Sequence, residues 1–408
     1  MDMYAMWLTC RMGSATVKTS ALLKHFGSPE AIYHARSEEL AAVARLTKQE
    51  TEQLSRHELD DVKRLMERCN TLGIDVIHPW EEGYPALLGR IKNPPFTLFY
   101  RGKLSVVQRT LCIAIVGTRS CTRYGASVAE KLAGDLAACG VTVVSGMADG
   151  IDSCANLGAL KAAGKTVAVL GNGVDRAYPA HNGYLMDQII ESGGLVASEY
   201  PPGSAIARGN FPARNRIISG LSQGVVIVEA PKKSGALITA QLAIEQDRDL
   251  FTVPGNINSY ASEGTNQLLK DNCAKPVTET LDVLEEYLGS YGHLLSVVRE
   301  APPAQTQQSV QKRSLLERVT GGRISQEKAP AAPSEQTPSP ERVQQELSLS
   351  KEEQDVLALL KGEPKSADAL IKESRLPVGK AMATLTMLEA KGYIKSLPGA
   401  RFERNFRV

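Results

Sequence analysis

Cys112-Ile113-Ala114-Ile115-Val116-Gly117-Thr118-Arg119 is the stretch on which the fold of this chain turns. Five consecutive apolar residues, without polar alternation, suit a strand buried on both faces. The Gly-Thr-Arg that follows leads into a helix expected from near Gly125 to Cys139. The pattern then repeats. Val141-Thr142-Val143-Val144, Thr166-Val167-Ala168-Val169-Leu170, Leu195-Val196-Ala197, Val225-Val226-Ile227-Val228 and Leu250-Phe251-Thr252-Val253 recur with helical segments between them. Their spacing, about 25 to 30 residues, is the length of one βα repeat, so residues 111–288 are expected to form an α/β domain with a parallel sheet covered by helices.

Helical spacing replaces this pattern upstream. Ala21, Leu22, Leu23 and Phe26 form one stripe, and Leu40, Val43, Ala44 and Leu46 a second. Between them Ser28 is placed to cap a helix with Pro29 in its first turn, so residues 1–72 are expected to form a small helical domain. Residues 73–110 read as a connector with short strands at Ile74 to Ile77 and Phe96 to Tyr100, their partners unassigned. Downstream, Pro302, Pro303, Pro330, Pro333, Pro338 and Pro340 interrupt any period, and residues 289–347 are expected to be a flexible linker holding one short helix, Ser314 to Val319. Residues 348–408 then offer helices at Glu352 to Leu360, from Ser366 to Ile371 and at Val378 to Lys391. Strands Tyr393 to Ser396 and Arg401 to Arg404 follow, about a turn at Leu397 to Ala400. Three helices and a hairpin describe a winged helix-turn-helix.

At roughly 150 residues per domain, 408 residues suggest two to four folded units. Hydrophobic residues make up 43% and charged residues 23%, which excludes collagen, coiled coil and wholesale disorder. The 47 basic and 45 acidic residues leave +2, so a polyanionic partner must be held by local clustering of cations. The 7 cysteines form no Cys-x-x-Cys pair, which indicates neither a disulfide framework nor a zinc site. The start, Met1-Asp2-Met3-Tyr4, lacks a basic n-region, and no stretch reaches the roughly 18 apolar residues of a membrane span. A cytosolic protein with reduced thiols is expected.

Ligands of open parallel sheets sit beyond the carboxyl ends of the strands. There stand Gly117-Thr118-Arg119-Ser120 and Ser145-Gly146-Met147-Ala148-Asp149-Gly150-Ile151-Asp152. Their backbone N–H groups can approach an anion at a helix start, and Arg119 adds a planar fork for phosphate oxygens; the same glycines would equally serve tight βα turns. Arg208-Gly209-Asn210-Phe211-Pro212-Ala213-Arg214-Asn215-Arg216 is the densest positive site of the domain. Its ring among guanidinium groups suits bases resting on Phe211 while Arg208 and Arg214 meet phosphates, although a solvated helix start is the plainer account. Lys232, Lys233, Ser234 and Gly235 end a further strand with more donors.

Two nucleotide signatures fail. Gly158 to Thr166 contains a Gly-Lys-Thr, but its first Gly lies one residue too far away and the order is helix then strand, so Gly164 reads as a helix-ending residue. Gly171-Asn172-Gly173-Val174-Asp175-Arg176 carries Arg where a dinucleotide fingerprint needs its third Gly. No ATP, NAD or other cofactor site is read. His181 lacks an identifiable partner, and Asp149 and Asp152 are explained by helix capping and dipole pairing. The expected third helix of the C-terminal domain carries only two cations and no Asn, Gln or Arg to read base edges. Its hairpin, with Lys395, Arg401, Arg404 and Arg407, could meet phosphates or dock a protein.

The sequence resembles the bacterial DNA-processing protein A family, DprA, also called Smf. The resemblance rests on Ile115-Val116-Gly117-Thr118-Arg119 with Tyr124-Gly125, on Ser145 to Asp152, Tyr178-Pro179, Phe211 to Gly220, Ser234-Gly235 with Thr239-Ala240, and Val253-Pro254-Gly255. It implies an extended Rossmann-like sheet that binds single-stranded DNA without sequence preference, a homodimer formed through that domain, and loading of the recombinase RecA in natural transformation. It implies no catalysis. It also implies a pocket built from Arg119 with Gly117 and Thr118 shaping its loop, Ser145 and Gly146, Arg208, Phe211, Arg214 and Asn215. Ser234 and Gly235 are added as phosphate donors from the strand-end loop. The N-terminal module is similar to a helix-hairpin-helix or sterile-alpha-motif unit, with Met12-Gly13-Ser14 where the family hairpin has Gly-x-Gly. The rival expectation is a Rossmann-like nucleotide or nucleoside hydrolase in which Glu199 or Glu229 activates water.

Overall fold

The computed structural model describes residues 1–13, 17–295, 351–360, 364–374, 376, 380–381, 384–385, 388–389, 393–397 and 401–404. The expected linker from 296 onward, the helix Ser314 to Val319, the turn residues 398–400 and Arg407 lie outside these residues, as does much of the expected helix Val378 to Lys391. The chain divides into two compact units, Met1–Thr306 and Gln307–Val408.

Among the described residues of the first unit, nine strands form one sheet: β1 (Asp75–Ile77), β2 (Leu98–Gly102), β3 (Cys112–Val116), β4 (Thr142–Ser145), β5 (Thr166–Leu170), β6 (Leu195–Ser198), β7 (Gly224–Ile227), β8 (Asp249–Thr252) and β9 (Lys275–Pro276). Their order is β1-β2-β6-β5-β4-β3-β7-β8-β9. From β6 across to β9 all pairs are parallel, while β2 runs antiparallel to β6 and β1 to β2. Every residue of β3 to β7 is buried, as unbroken Val, Ile and Ala runs require of strands covered on both faces. The chain winds outward from β3 to β6, then crosses back beyond β3 to begin β7. That reversal opens a crevice at the carboxyl ends of β3 and its neighbours.

The stretch expected as a connector supplies β1 and β2, and the unassigned partner of β2 is β6, with Phe99 opposite Ser198. The described residues of 1–72 fold mainly as short helices, and they share their core with the sheet. The helix Met3–Met12, begun by the Asp2 carboxylate on the N–H groups of Tyr4 and Ala5, buries Ala5, Met6, Trp7 and Leu8. These side chains join one apolar cluster with Phe99, Ala168, Leu170 and Val196, so the helices cover a face of the sheet rather than closing a core of their own. Ser28 caps Pro29–His34 as expected, its Oγ accepting the Ala31 N–H at 3.1 Å.

On the sheet's other flank, helices Arg123–Ala138 and Ile151–Lys161 pack closely because Gly158 has no side chain: a Cβ there would lie 2.1 Å from the Glu130 carbonyl oxygen. Gly164 is not the left-handed residue that ends its helix. Ala163 takes that conformation, with φ 55°, and Gly164 instead admits Ala137, whose Cβ would stand 2.5 Å from any Cβ added there.

In the second unit, helices Lys351–Leu359 and Ala367–Ser374 accompany a sheet of β10 (Lys365–Ser366), β12 (Arg401–Arg404) and β11 (Ile394–Leu397), in that order and antiparallel. Val356, Leu357, Leu360, Leu370, Leu385, Leu388 and Ile394 form its core. The Ser366 Oγ accepts the Ala369 N–H at 3.3 Å, the cap read from the sequence. No described helix is long and apolar enough to cross a membrane.

Candidate functional site

Where the strand order reverses, the loops leaving β3, β4, β5 and β7 surround a cleft of about 560 Å³. Gly117, Thr118, Arg119, Arg208, Phe211, Arg214, Asn215, Ser234 and Gly235, nine residues separated by over a hundred positions in sequence, all line it. Gly117 must be a glycine, since a Cβ would stand 2.5 Å from the Ile151 side chain and 2.8 Å from the Glu229 carbonyl oxygen. The tight turn this allows brings the Thr118 N–H to that carbonyl at 2.7 Å and carries Arg119 onto the cleft.

Arg119 Cζ lies 5.2 Å from the centroid of the Phe211 ring. Tyr178 packs against the same ring, with its centroid 5.2 Å from that of Phe211 and the planes inclined by 37°. Cation–π and tilted ring pairs of this geometry are each attractive by about 0.5 to 1.5 kcal/mol, so the platform is held before any ligand arrives. Gly171 gives Phe211 room, because a Cβ there would come within 3.0 Å of the ring. The glycine that fits no dinucleotide fingerprint thus serves the aromatic seat.

The three arginines of the densest positive run have three different fates. Arg208 is exposed at the rim. Arg214, on the helix Asn210–Gly220, is 4% exposed beneath the cleft; its guanidinium donates to the Gly146 carbonyl at 2.9 Å, to the Val169 carbonyl, and to Asn215 Oδ1 at 3.2 Å. Burial pulls its pKa down to about 10, with Asp152 opposing and the nearby Arg119 adding to the fall. Arg216 points elsewhere, since two residues along a helix turn a side chain by about 200°. It forms a buried fork on Glu199, with Nη1 and Nη2 donating at 2.7 and 2.5 Å, and its Nε donates to the Asn93 carbonyl at 2.9 Å.

Ser145 and Gly146, expected in the pocket, stand behind it. The Ser145 hydroxyl donates to the Ile115 carbonyl at 2.7 Å inside the sheet. Gly146 is buried, and the reason for its lack of a side chain is direct: a Cβ would lie 2.5 Å from Asp152 Oδ2 and 2.6 Å from both Arg214 Nη atoms. The open cradle of strand-end N–H groups also requires correction. The Asp152 carboxylate lines the cleft close enough to the Ala148, Gly117 and Gly146 N–H groups for them to lower its pKa, so a side chain already stands where an anion was expected. Burial raises the Asp152 pKa to about 6, against the opposing pull of Arg214 and those three donors.

Neither Asp149 nor Asp152 caps the helix Ile151–Lys161, whose N-cap is Gly150 at φ 77°, but Asp152 does stand in its first turn, where the helix dipole favours a carboxylate. Asp149 instead pairs with His181 Nε2 at 2.8 Å, the partner that sequence did not reveal. Ser234 does cap its helix, Gly235–Glu245, and turns the positive end of that helix toward the cleft. The two acids of the hydrolase reading are engaged elsewhere: Glu199 by Arg216, and Glu229 by the Thr122 N–H at 2.8 Å and the Thr122 hydroxyl at 2.6 Å. Sequence reasoning gave Asp152 a different task and missed Tyr260, which lines the cleft and is 68% exposed in the loop after β8. An exposed aromatic seven residues beyond Val253 was its only signal. Lys233, singled out only as an added cation, also lines the cleft.

The family model described as DNA recombination-mediator protein A matches residues 75–288, more than half of the chain. The chain belongs to the DprA/Smf family. A DprA winged helix domain matches residues 328–400, beginning within the stretch read as linker. Among DprA/Smf relatives, Protein Smf of Synechocystis sp. is 35% identical over 333 residues, 80% of this chain and 79% of that one. DNA processing protein DprA of Streptococcus pneumoniae is 42% identical over 214 residues, 52% of this chain and 72% of its own. The X-ray structure of DNA processing protein A from the same organism matches with a TM-score of 0.62 and 33% identity, over 70% of this chain and 98% of that one.

Proposed function

We propose that this chain binds single-stranded DNA without regard to sequence in the cleft over β3 and β7, protects incoming DNA, and passes it to RecA in natural transformation. It works in the cytoplasm as a homodimer joined through its sheet-containing unit. The observation that carries the binding step is that Phe211, in contact with both Arg119 and Tyr178, lines the same cleft as the buried Arg214. An aromatic face at the cleft accepts any unpaired base and no base sealed within a duplex, while the surrounding cations meet phosphates. The Asn215 amide is committed to Arg214 and to the Gly235 carbonyl, so beyond the cations little remains in the cleft to read base edges. Recombinase loading is supported by the match to the recombination-mediator family, and dimerisation is proposed with it.

Titrating labelled oligothymidine and a duplex of equal length against salt tests the binding step. Arg119, Arg208, Arg214 and Lys233 could neutralise at most four phosphates, so log K should fall against log salt with a slope no steeper than about −3. Preference for duplex, or affinity indifferent to salt, would overturn the proposal. The recombinase step is read separately, as faster RecA assembly on oligothymidine carrying this protein.

A further inference from the structure

Asp152 places a negative charge beneath a cleft that otherwise presents cations. It is 6% exposed, lines the cleft, and lies close enough to the N–H groups of Ala148, Gly117 and Gly146 for them to lower its pKa. Those donors, at the ends of β3 and β4, are the ones a phosphate arriving at the sheet edge would seek. The Arg214 guanidinium stands on the same side of Gly146 as the carboxylate: a Cβ there would lie 2.5 Å from Asp152 Oδ2 and 2.6 Å from both Arg214 Nη atoms, and both side chains line the cleft. We propose that Asp152 is the positioning residue of the cleft: an internal substitute for phosphate that fixes the Gly117 and Gly146 loops and shares Arg214 with the bound strand. Its protonation state then sets how much of the Arg214 charge a phosphate receives. This rests on the single-strand reading above.

The charged surroundings are few. Arg214 comes from the helix Asn210–Gly220, with Arg119 and Tyr200 acting on it in turn. Asp149 and His181 pair with each other on the exposed side of the same loop, and Glu229 behind Gly117 is held by Thr122. Cys154 faces Cys121, and the Glu130–Lys161 pair lies farther along the helix. Burial places the Asp152 titration at about 6. A phosphate beside Arg214 adds negative charge and raises that value further, so binding takes up a proton. Linkage then fixes the sign: affinity rises as pH falls toward the free-protein pKa from above.

The test is oligothymidine binding by the full-length protein at pH 7.5, 6.5 and 5.5 and constant ionic strength, for the wild type, Asp152→Asn, Asp152→Glu and His181→Gln. The wild type should bind roughly three- to tenfold more tightly at the lowest pH than at the highest. Asp152→Asn should flatten that profile, Asp152→Glu should restore a slope, and His181→Gln should leave it in place. A flat wild-type profile overturns the proposal, as does a slope that survives Asp152→Asn or vanishes with His181→Gln. Should Asp152→Asn fail to fold, the wild type and His181→Gln decide alone by the same criteria. Absence of binding by the wild type at every pH is a different outcome, which overturns the single-strand reading itself.

Discussion

Arg214 and Arg216 show how little a residue's type says of its task. Two guanidinium groups, two positions apart, end in opposite environments: one shares its buried face with Asp152 under the cleft, the other is spent on Glu199. The consequences are separable by measurement. Arg119→Ala and Arg208→Ala should each weaken oligonucleotide binding by about 1.5 to 3 kcal/mol, equally for oligothymidine, oligoadenosine and mixed strands, because phosphate contacts carry no base identity. Phe211→Ala should cost about 1 to 3 kcal/mol of binding through lost stacking, and it also removes the seat of Arg119. Glu199→Gln leaves the largely buried Arg216 cation without its charged partner, which should destabilise the fold by about 3 to 5 kcal/mol in urea denaturation. Asp152 also leaves a mark on stability. Its carboxyl has a higher pKa in the fold than unfolded, so the folded state binds the extra proton and this contribution, full below about 4, is lost as pH rises through about 6.

At the scale of elements, strands were far more legible than their neighbours. β3 and β5 run over the residues expected, β6 is one residue longer, and β4, β7 and β8 are shifted by one residue, because an unbroken apolar run has few other homes. The helix Met3–Met12 escaped notice despite being among the most buried, since Met, Trp and Leu pack all around it and leave no polar face to mark a period. β1 and β2 were seen without partners, as antiparallel addition to a parallel sheet has no local signature. The pairing of Arg123–Ala138 with Ile151–Lys161 is likewise a property of two elements at once. Gly158→Ala should therefore cost about 1 to 3 kcal/mol, an overpacking penalty, because the added methyl meets backbone at the Glu130 carbonyl rather than a yielding side chain. Thermal unfolding of the variant reads that cost directly.

For the molecule as a whole, the cleft belongs to Met1–Thr306, and the winged-helix unit forms a core of its own. Removing residues after Leu347 should accordingly leave affinity for oligothymidine within about twofold of the full chain, since each phosphate contact is worth far more than that. A large loss on truncation would place part of the strand-binding surface in the winged helix, where Lys395 is already paired with Glu403.

Sequence by itself determined the α/β class, the capped helices, the winged helix and the loops on which a strand would be sought, because apolar period and cap chemistry act over a few neighbouring residues. Only the tertiary structure decided which donors those loops still offer. Whether a strand-end loop is open to a phosphate or already faces Asp152, and whether an arginine faces a cleft or a carboxylate, depends on groups tens of residues apart brought together by the fold, and no local pattern encodes that proximity.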